Sequence, residues 1–157
     1  MSEAIQRHQG FAAFPIFLAL SFAGAGFGAL FEPGDWYAGL RKPDLTPPNW
    51  IFGPVWSLLF VCIGVAGALV WQRSRAVLPM ALWGAQLMLN AAWSWLFFGL
   101  QRPDLAFAEI RVLWIAIAIT IFVFWRVRPA AGALMVPYLL WVGIASWLNW
   151  EIWRLNA

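Results

Sequence analysis

Four stretches of the chain, residues 9–31, 45–72, 76–101 and 129–150, contain no Asp, Glu, Lys or Arg. Each exceeds the roughly 20 residues at about 1.5 Å apiece that a helix needs to cross the hydrocarbon of a bilayer. A soluble domain of this length carries about 25% charged residues. Here only 11% of the 157 residues are charged and 63% are hydrophobic, and the mean hydropathy is +0.74. Such a chain cannot cover itself with polar side chains. The expected fold class is therefore an all-α membrane protein.

A fifth crossing is shorter on uncharged residues, because Arg111 and Arg126 bracket it. Beginning it at Leu105 gives a full span that takes in Glu109 and Arg111, both near its start, where long side chains can snorkel to the interface. The spacing thus predicts helices over 11–31, 50–72, 77–99, 105–126 and 131–153, a five-transmembrane-helix bundle in one domain over 1–157. For the first segment a cleaved signal peptide is the rival reading. Arg7 and His8 would form its basic start and Ala23-Gly24-Ala25 its cleavage site, but the apolar run continues to Phe31. An intact helix sets Gly24 and Gly28 in a small-xxx-small pattern suited to close helix packing.

Net charge is +3 with ten basic residues, most of them at helix ends, where anchoring and topology account for them and no nucleic-acid partner is implied. With five spans, Arg7, Arg73, Arg75, Arg126 and Arg128 share one side. Arg41, Lys42, Arg102 and Arg154 share the other, with Glu32, Asp35, Asp44 and Asp104. Five against four places the N-terminus in the cytoplasm. Cys62 is the only cysteine, so no disulfide framework exists.

Three of the four connections are short, which makes successive helices antiparallel neighbours. The first, Glu32 to Asn49, is long. Loops of that length are functional lids or disordered, and Pro43, Pro47 and Pro48 restrict the backbone against disorder. Trp36 and Tyr37 leave two readings open, an interfacial aromatic belt or a structured lid.

The helix faces are patterned. Gln86, Asn90, Trp93 and Phe97 follow a 4-3-4 spacing and share one stripe. Gln86 and Asn90 must turn inward and find partners. Tyr138, Trp141, Ala145 and Leu148 or Asn149 form a similar stripe, and Phe52, Trp56 and Phe60 recur at i, i+4. Helix packing is one explanation. Yet small residues ordinarily bring membrane helices together, and flat rings beside sparse polar groups suit a pocket for a large planar apolar ligand. Pro54 and Pro137, each near the start of a helix, would bend it and open space at one end of the bundle.

The run WYAGLRKPDLTPPNWIFGPVW over 36–56 resembles the signature of the tryptophan-rich sensory protein family, TspO, related to the mitochondrial translocator protein. Two further blocks are similar: Gln86-Leu87-x-Leu89-Asn90-x-x-Trp93 with Phe97-Phe98-Gly99, and Pro137-Tyr138-Leu139-x-Trp141 with Ala145, Leu148 and Asn149. The likeness spans about residues 14–154.

That resemblance implies a five-helix bundle in a bacterial envelope membrane, often a homodimer, that binds porphyrins such as protoporphyrin IX and other hydrophobic ligands. The long first loop would close over the pocket as a lid. It also implies roles for Trp36, Tyr37, Trp56, Asn90, Tyr138, Trp141 and Ala145 in the pocket. Trp93 is expected beside them, and by its charge Lys42 or Arg41 near the porphyrin carboxylates. Headgroup anchoring is the other reading of those two cations. Trp56 and Trp141 match tryptophans linked in the family to light- and oxygen-dependent porphyrin breakdown, so they would be the catalytic residues if that activity holds. The family's sterol motif is not met in LNWEIWRL, where Trp150 stands in place of tyrosine, which removes the support for sterol binding.

Neither metal nor cofactor is called for. Haem needs an axial ligand, and His8 lies outside the spans. No Ser–His–Asp set, carboxylate pair or phosphate loop supports hydrolytic chemistry. Three functions follow in order: a tetrapyrrole-binding membrane protein acting in transport, sequestration or stress regulation; a porphyrin-degrading enzyme; and a transporter of another amphipathic solute. The last would call for a charged residue at mid-membrane. For a dimer, Ala81-x-x-x-Ala85 on the third span and Gly24-x-x-x-Gly28 on the first are the candidate faces, and the resemblance favours the third.

Overall fold

The computed structural model describes residues 2–31 and 33–157, with side chains from position 12 onward. Readings that rest on the side chains of Arg7 and His8, or on Glu32, lie outside the described residues. Among these residues the architecture is all helical: α1 Ser2–Gly28, α2 Asp35–Gly39, α3 Asn49–Arg73, α4 Val77–Ser94, a π-turn Trp95–Gly99, α5 Pro103–Val127 and α6 Pro129–Asn156. Three of them, α3, α5 and α6, are long and apolar enough to cross a membrane, and Ala12–Gly28 is a shorter apolar helix.

The helix starts follow local chemistry. Pro103 and Pro129 open α5 and α6 at the first helical position, where a missing N–H costs nothing. Extended backbone at Pro48, Ala76 and Arg128 separates the helices. The first helix begins well before residue 11, because charged and polar residues bar a helix from hydrocarbon but not from helical backbone. The first connection holds its own short helix, α2, which no apolar periodicity announces.

Packing depends on small residues where helices come closest. A Cβ on Gly64 would lie 3.0 Å from Leu18 Cα and 3.1 Å from the Phe17 carbonyl, so α1 and α3 meet backbone to backbone. At Gly67, Phe17 and the Trp83 indole fill the space that a side chain would take. Trp83 then donates its indole N–H to the Ile63 carbonyl at 2.9 Å, tying α4 to α3. Gly24 and Gly28 face Leu87 and Ser94 of α4, so the α1 glycines serve this bundle's own packing. Ala81 and Ala85 lie exposed on the outer side of α4. The core runs through Ile63, Ala66, Ile117, Phe124, Ala131 and Val142, all fully buried.

Contrary to the expectation from its position near a helix start, Glu109 does not snorkel. Both carboxyl oxygens are shielded and lack a hydrogen-bond partner.

Candidate functional site

At the end of the bundle under α2, a cavity of about 640 Å³ opens between α1, α3, α6 and the last turns of α4. Each wall follows from its helix. On α3 the i, i+4 column Phe52, Trp56, Phe60 faces inward, with Gly53 and Ser57 beside it. Pro54 deprives the early helix of one N–H bond, and Ser57 turns its hydroxyl to the Gly53 carbonyl at 2.9 Å. On α6 the cavity meets Trp141, Ala145, Leu148, Asn149 and Ile152. On α4 the π-turn, closed by Leu100 N–H to the Trp95 carbonyl at 2.8 Å, brings Trp93, Ser94, Phe97 and Phe98 to the space. Such turns recur at functional sites. Gln101 follows with φ of 54°, a left-handed conformation that turns the chain into Pro103.

The walls are rings set edge to face or stacked. Phe52 meets Trp141 at 5.6 Å, and Trp93 stacks on Phe97 at 5.2 Å. Polar groups are few and mostly committed. The Trp93 indole donates to Asn149 Oδ1 at 3.0 Å, and Asn149 Nδ2 donates to the Pro103 carbonyl at 2.7 Å. Asn90 Nδ2 donates to the Tyr138 hydroxyl at 3.2 Å. The Trp141 indole nitrogen is buried without a partner. No charged side chain lines the cavity among the described residues.

The first connection sits over this end. Trp36 packs edge-on against Phe97 at 5.8 Å, and Tyr37 meets Phe98 at 5.5 Å. Burial pushes the Tyr37 phenol up from its ordinary value. Lys42 Nζ donates to the Tyr37 carbonyl at 2.6 Å and the Leu40 carbonyl at 3.3 Å, and rests over the Tyr37 ring at 4.4 Å. It therefore caps the end of α2 as a C-terminal cation should. Asn156 grips Arg41 from the end of α6, accepting its N–H and donating to its carbonyl, both at 2.9 Å.

Of the residues singled out by sequence, the structure brings Tyr37, Trp56, Asn90, Trp93, Trp141 and Ala145 together on the cavity wall. Three others lie elsewhere. Tyr138 is fully buried behind Asn90 and Trp56. Trp36 packs behind Phe97, and the Lys42 ammonium is spent on loop carbonyls. The sequence reading did not assign Phe22, Ala25 and Gly26 of α1 or Ala29 just after it, nor Asn49 and Ser57 of α3. The alternation of glycine and alanine over 23–29 was the available signal for the α1 wall.

The profile of the TspO/MBR family matches residues 15–154. A tryptophan-rich protein TspO of Chlorobaculum tepidum is 44% identical over 144 residues, covering 88% of this chain and 90% of its own. Protein CrtK of Rhodobacter capsulatus is 40% identical over 144 residues, 89% of each chain. The human translocator protein is 38% identical over 137 residues, 82% of this chain and 81% of its own. On the match over residues 15–154 and on these relatives, the chain belongs to the TspO/MBR family.

Proposed function

We propose that the protein spans the membrane five times and binds porphyrin-type tetrapyrroles, with protoporphyrin IX as the reference ligand, and other hydrophobic molecules in the aromatic cavity. The first loop is its lid, and the biological work is tetrapyrrole transport, sequestration or stress regulation. The observation that carries this reading is the cavity itself: flat rings on four helices, a few neutral donors, and Tyr37 of the first loop on its wall. A large planar apolar ligand gains from ring contact and loses little by meeting few polar groups. The five-span count takes α1 as a span and runs α4 on through its π-turn to Gly99.

The test is quenching of tryptophan fluorescence by protoporphyrin IX in the dark, on detergent-solubilised protein. Saturable quenching at micromolar or lower concentration, weakened by Trp141→Phe, is expected. Quenching no stronger than in empty micelles returns the aromatic stripes to helix packing.

A second reading, light- and oxygen-dependent porphyrin degradation, draws on Trp56 and Trp141 both lining the cavity. Under it, Trp56→Phe or Trp141→Phe abolishes turnover in light while binding stays within a few fold. Equal loss of both contradicts it.

For assembly we propose a homodimer through α4, where Ala81 and Ala85 stand exposed, in a bacterial envelope membrane with the N-terminus cytoplasmic. Ala81→Cys in a Cys62→Ala background is expected to crosslink, and Asp44→Cys to react with an impermeant thiol reagent from outside. An uncrosslinked Ala81→Cys counts against the α4 face, and labelling of Asp44→Cys only in opened vesicles reverses the orientation.

A further inference from the structure

Glu109 stands in the second turn of α5, a helix that contributes nothing to the cavity wall. Its two carboxyl oxygens are sealed from solvent and meet no donor. A carboxylate in that position keeps neither hydration nor a counter-charge, the arrangement that folded proteins and membranes disfavour most strongly. A carboxylic acid in the same place needs only to place one O–H. An ionisable group inside a membrane helix is therefore a functional candidate, and its neighbours identify the function.

Those neighbours come from the elements packed against α5. The α4 helix and the π-turn carry no titratable residue, and α3 carries Cys62 and Arg73. On α6 the titratable or charged groups are Tyr138, Glu151 and Arg154, and the last two pair with each other at 2.7 Å. On α5 itself Asp104 pairs with Arg102 at 2.6 Å, Arg111 lies over the Phe107 ring and Arg126 over the Phe122 ring. Of these groups Tyr138 is the one whose phenol a charge on Glu109 reaches. Tyr138 in turn accepts the Asn90 amide N–H at 3.2 Å, and Asn90 lines the cavity. Three helices thus contribute one polar group each: Asn90 on the cavity wall, Tyr138 behind it, and Glu109 on α5. The rest of that region is hydrocarbon, with Ala106, Ile110 and Leu113 buried on the same helix.

We propose that Glu109 is a proton-binding site inside the bundle, holding its proton as a neutral acid at pH 7, and that occupancy of the cavity is sensed at that proton through Asn90 and Tyr138. A ligand that draws on the Asn90 amide changes what the Tyr138 hydroxyl accepts, and so changes the field at the acid behind it. The coupling rests on the cavity being a ligand site. The proton site does not.

The experiment is infrared spectroscopy of the full chain in lipid vesicles at pH 7, in the carbonyl region above the amide I band, where protonated carboxyls absorb. The wild type is expected to show one such band, lost in Glu109→Gln and retained at a shifted frequency in Glu109→Asp. Octaethylporphyrin, which has no carboxyl group of its own, is then added in the dark with tryptophan fluorescence recorded in parallel. The band is expected to shift as the fluorescence is quenched, and Tyr138→Phe to keep the band but lose the shift. Identical wild-type and Glu109→Gln spectra overturn the proton site. A band that stays in place while fluorescence is quenched overturns the coupling. Absence of quenching overturns the ligand-site reading and the coupling with it, while the band still supports the proton site.

Discussion

Gly67→Ala is expected to lower the stability of the bundle by roughly 2–4 kcal/mol, as overpacking and the loss of a buried hydrogen bond together outweigh the gain in helix propensity. The added Cβ would sit 2.6 Å from both Phe17 Cδ1 and Trp83 Nε1. Neither ring is free to retreat. Trp83 is held by its bond to the Ile63 carbonyl at 2.9 Å, and Phe17 packs edge-on against Trp83 at 4.8 Å with Trp71 at 6.1 Å. Three helices therefore converge on a spot sized for a hydrogen atom. Against this, alanine is the better helix former by about 1 kcal/mol, which is too little to reverse the sign. Thermal melting in detergent checks it, with Gly84→Ala as the control, since a Cβ on Gly84 meets nothing within 4 Å. The control should melt at or above the wild-type temperature and Gly67→Ala well below it. A Gly67→Ala protein as stable as the control would mean that α1, α3 and α4 do not meet as described.

Asn149→Leu is the second large effect. Asn149 is 1% exposed, and its amide serves two partners on two helices, accepting from the Trp93 indole and donating to the Pro103 carbonyl. Hydrogen bonds between membrane helices average only about 0.6 kcal/mol, because the separated helices find other partners. Here the substitution strands the indole N–H in an apolar setting, and a buried donor without an acceptor costs about 1–3 kcal/mol. The stranded donor dominates, and the expected loss of stability is about 2–3 kcal/mol. Trp93 also forms part of the cavity wall and stacks on Phe97 at 5.2 Å. Ligand affinity should therefore fall along with stability, whereas Met88→Leu on the exposed face of α4 should alter neither. Binding preserved at full strength in Asn149→Leu would show that Trp93 does not need its anchor.

Much of this was legible in the chain because a membrane simplifies the code. Uncharged length alone located α3 and α6, and the i, i+4 columns of Phe52, Trp56 and Phe60 and of Trp141 and Ala145 located two cavity walls. Asn90 had to face inward, since an amide cannot face lipid. What stayed hidden depends on geometry that no spacing encodes. The π-turn at Trp95–Gly99 inserts an extra residue into one turn, and α2 is too short for a periodic signal. Lys42 carries a positive charge that suits a porphyrin carboxylate, but the carbonyls at the end of α2 lie closer. Tyr138 shares a stripe with Trp141, yet the Asn90 bond draws it behind the wall. Glu109 sits near a helix start, and only its neighbours reveal that it cannot reach water.

If a porphyrin binds in the space between α1, α3, α4 and α6, filling that space must weaken its binding. Gly53 lines the cavity, and a Cβ there meets nothing within 4 Å, so Gly53→Phe puts a ring into the void without disturbing the core. Protoporphyrin IX affinity should be measured in the dark by fluorescence quenching for the wild type and Gly53→Phe, after melting curves confirm equal folding. A loss of affinity on the order of 30-fold or more, about 2 kcal/mol, is the expected result. Equal affinities for the two folded proteins would contradict the assignment and move the ligand to another surface.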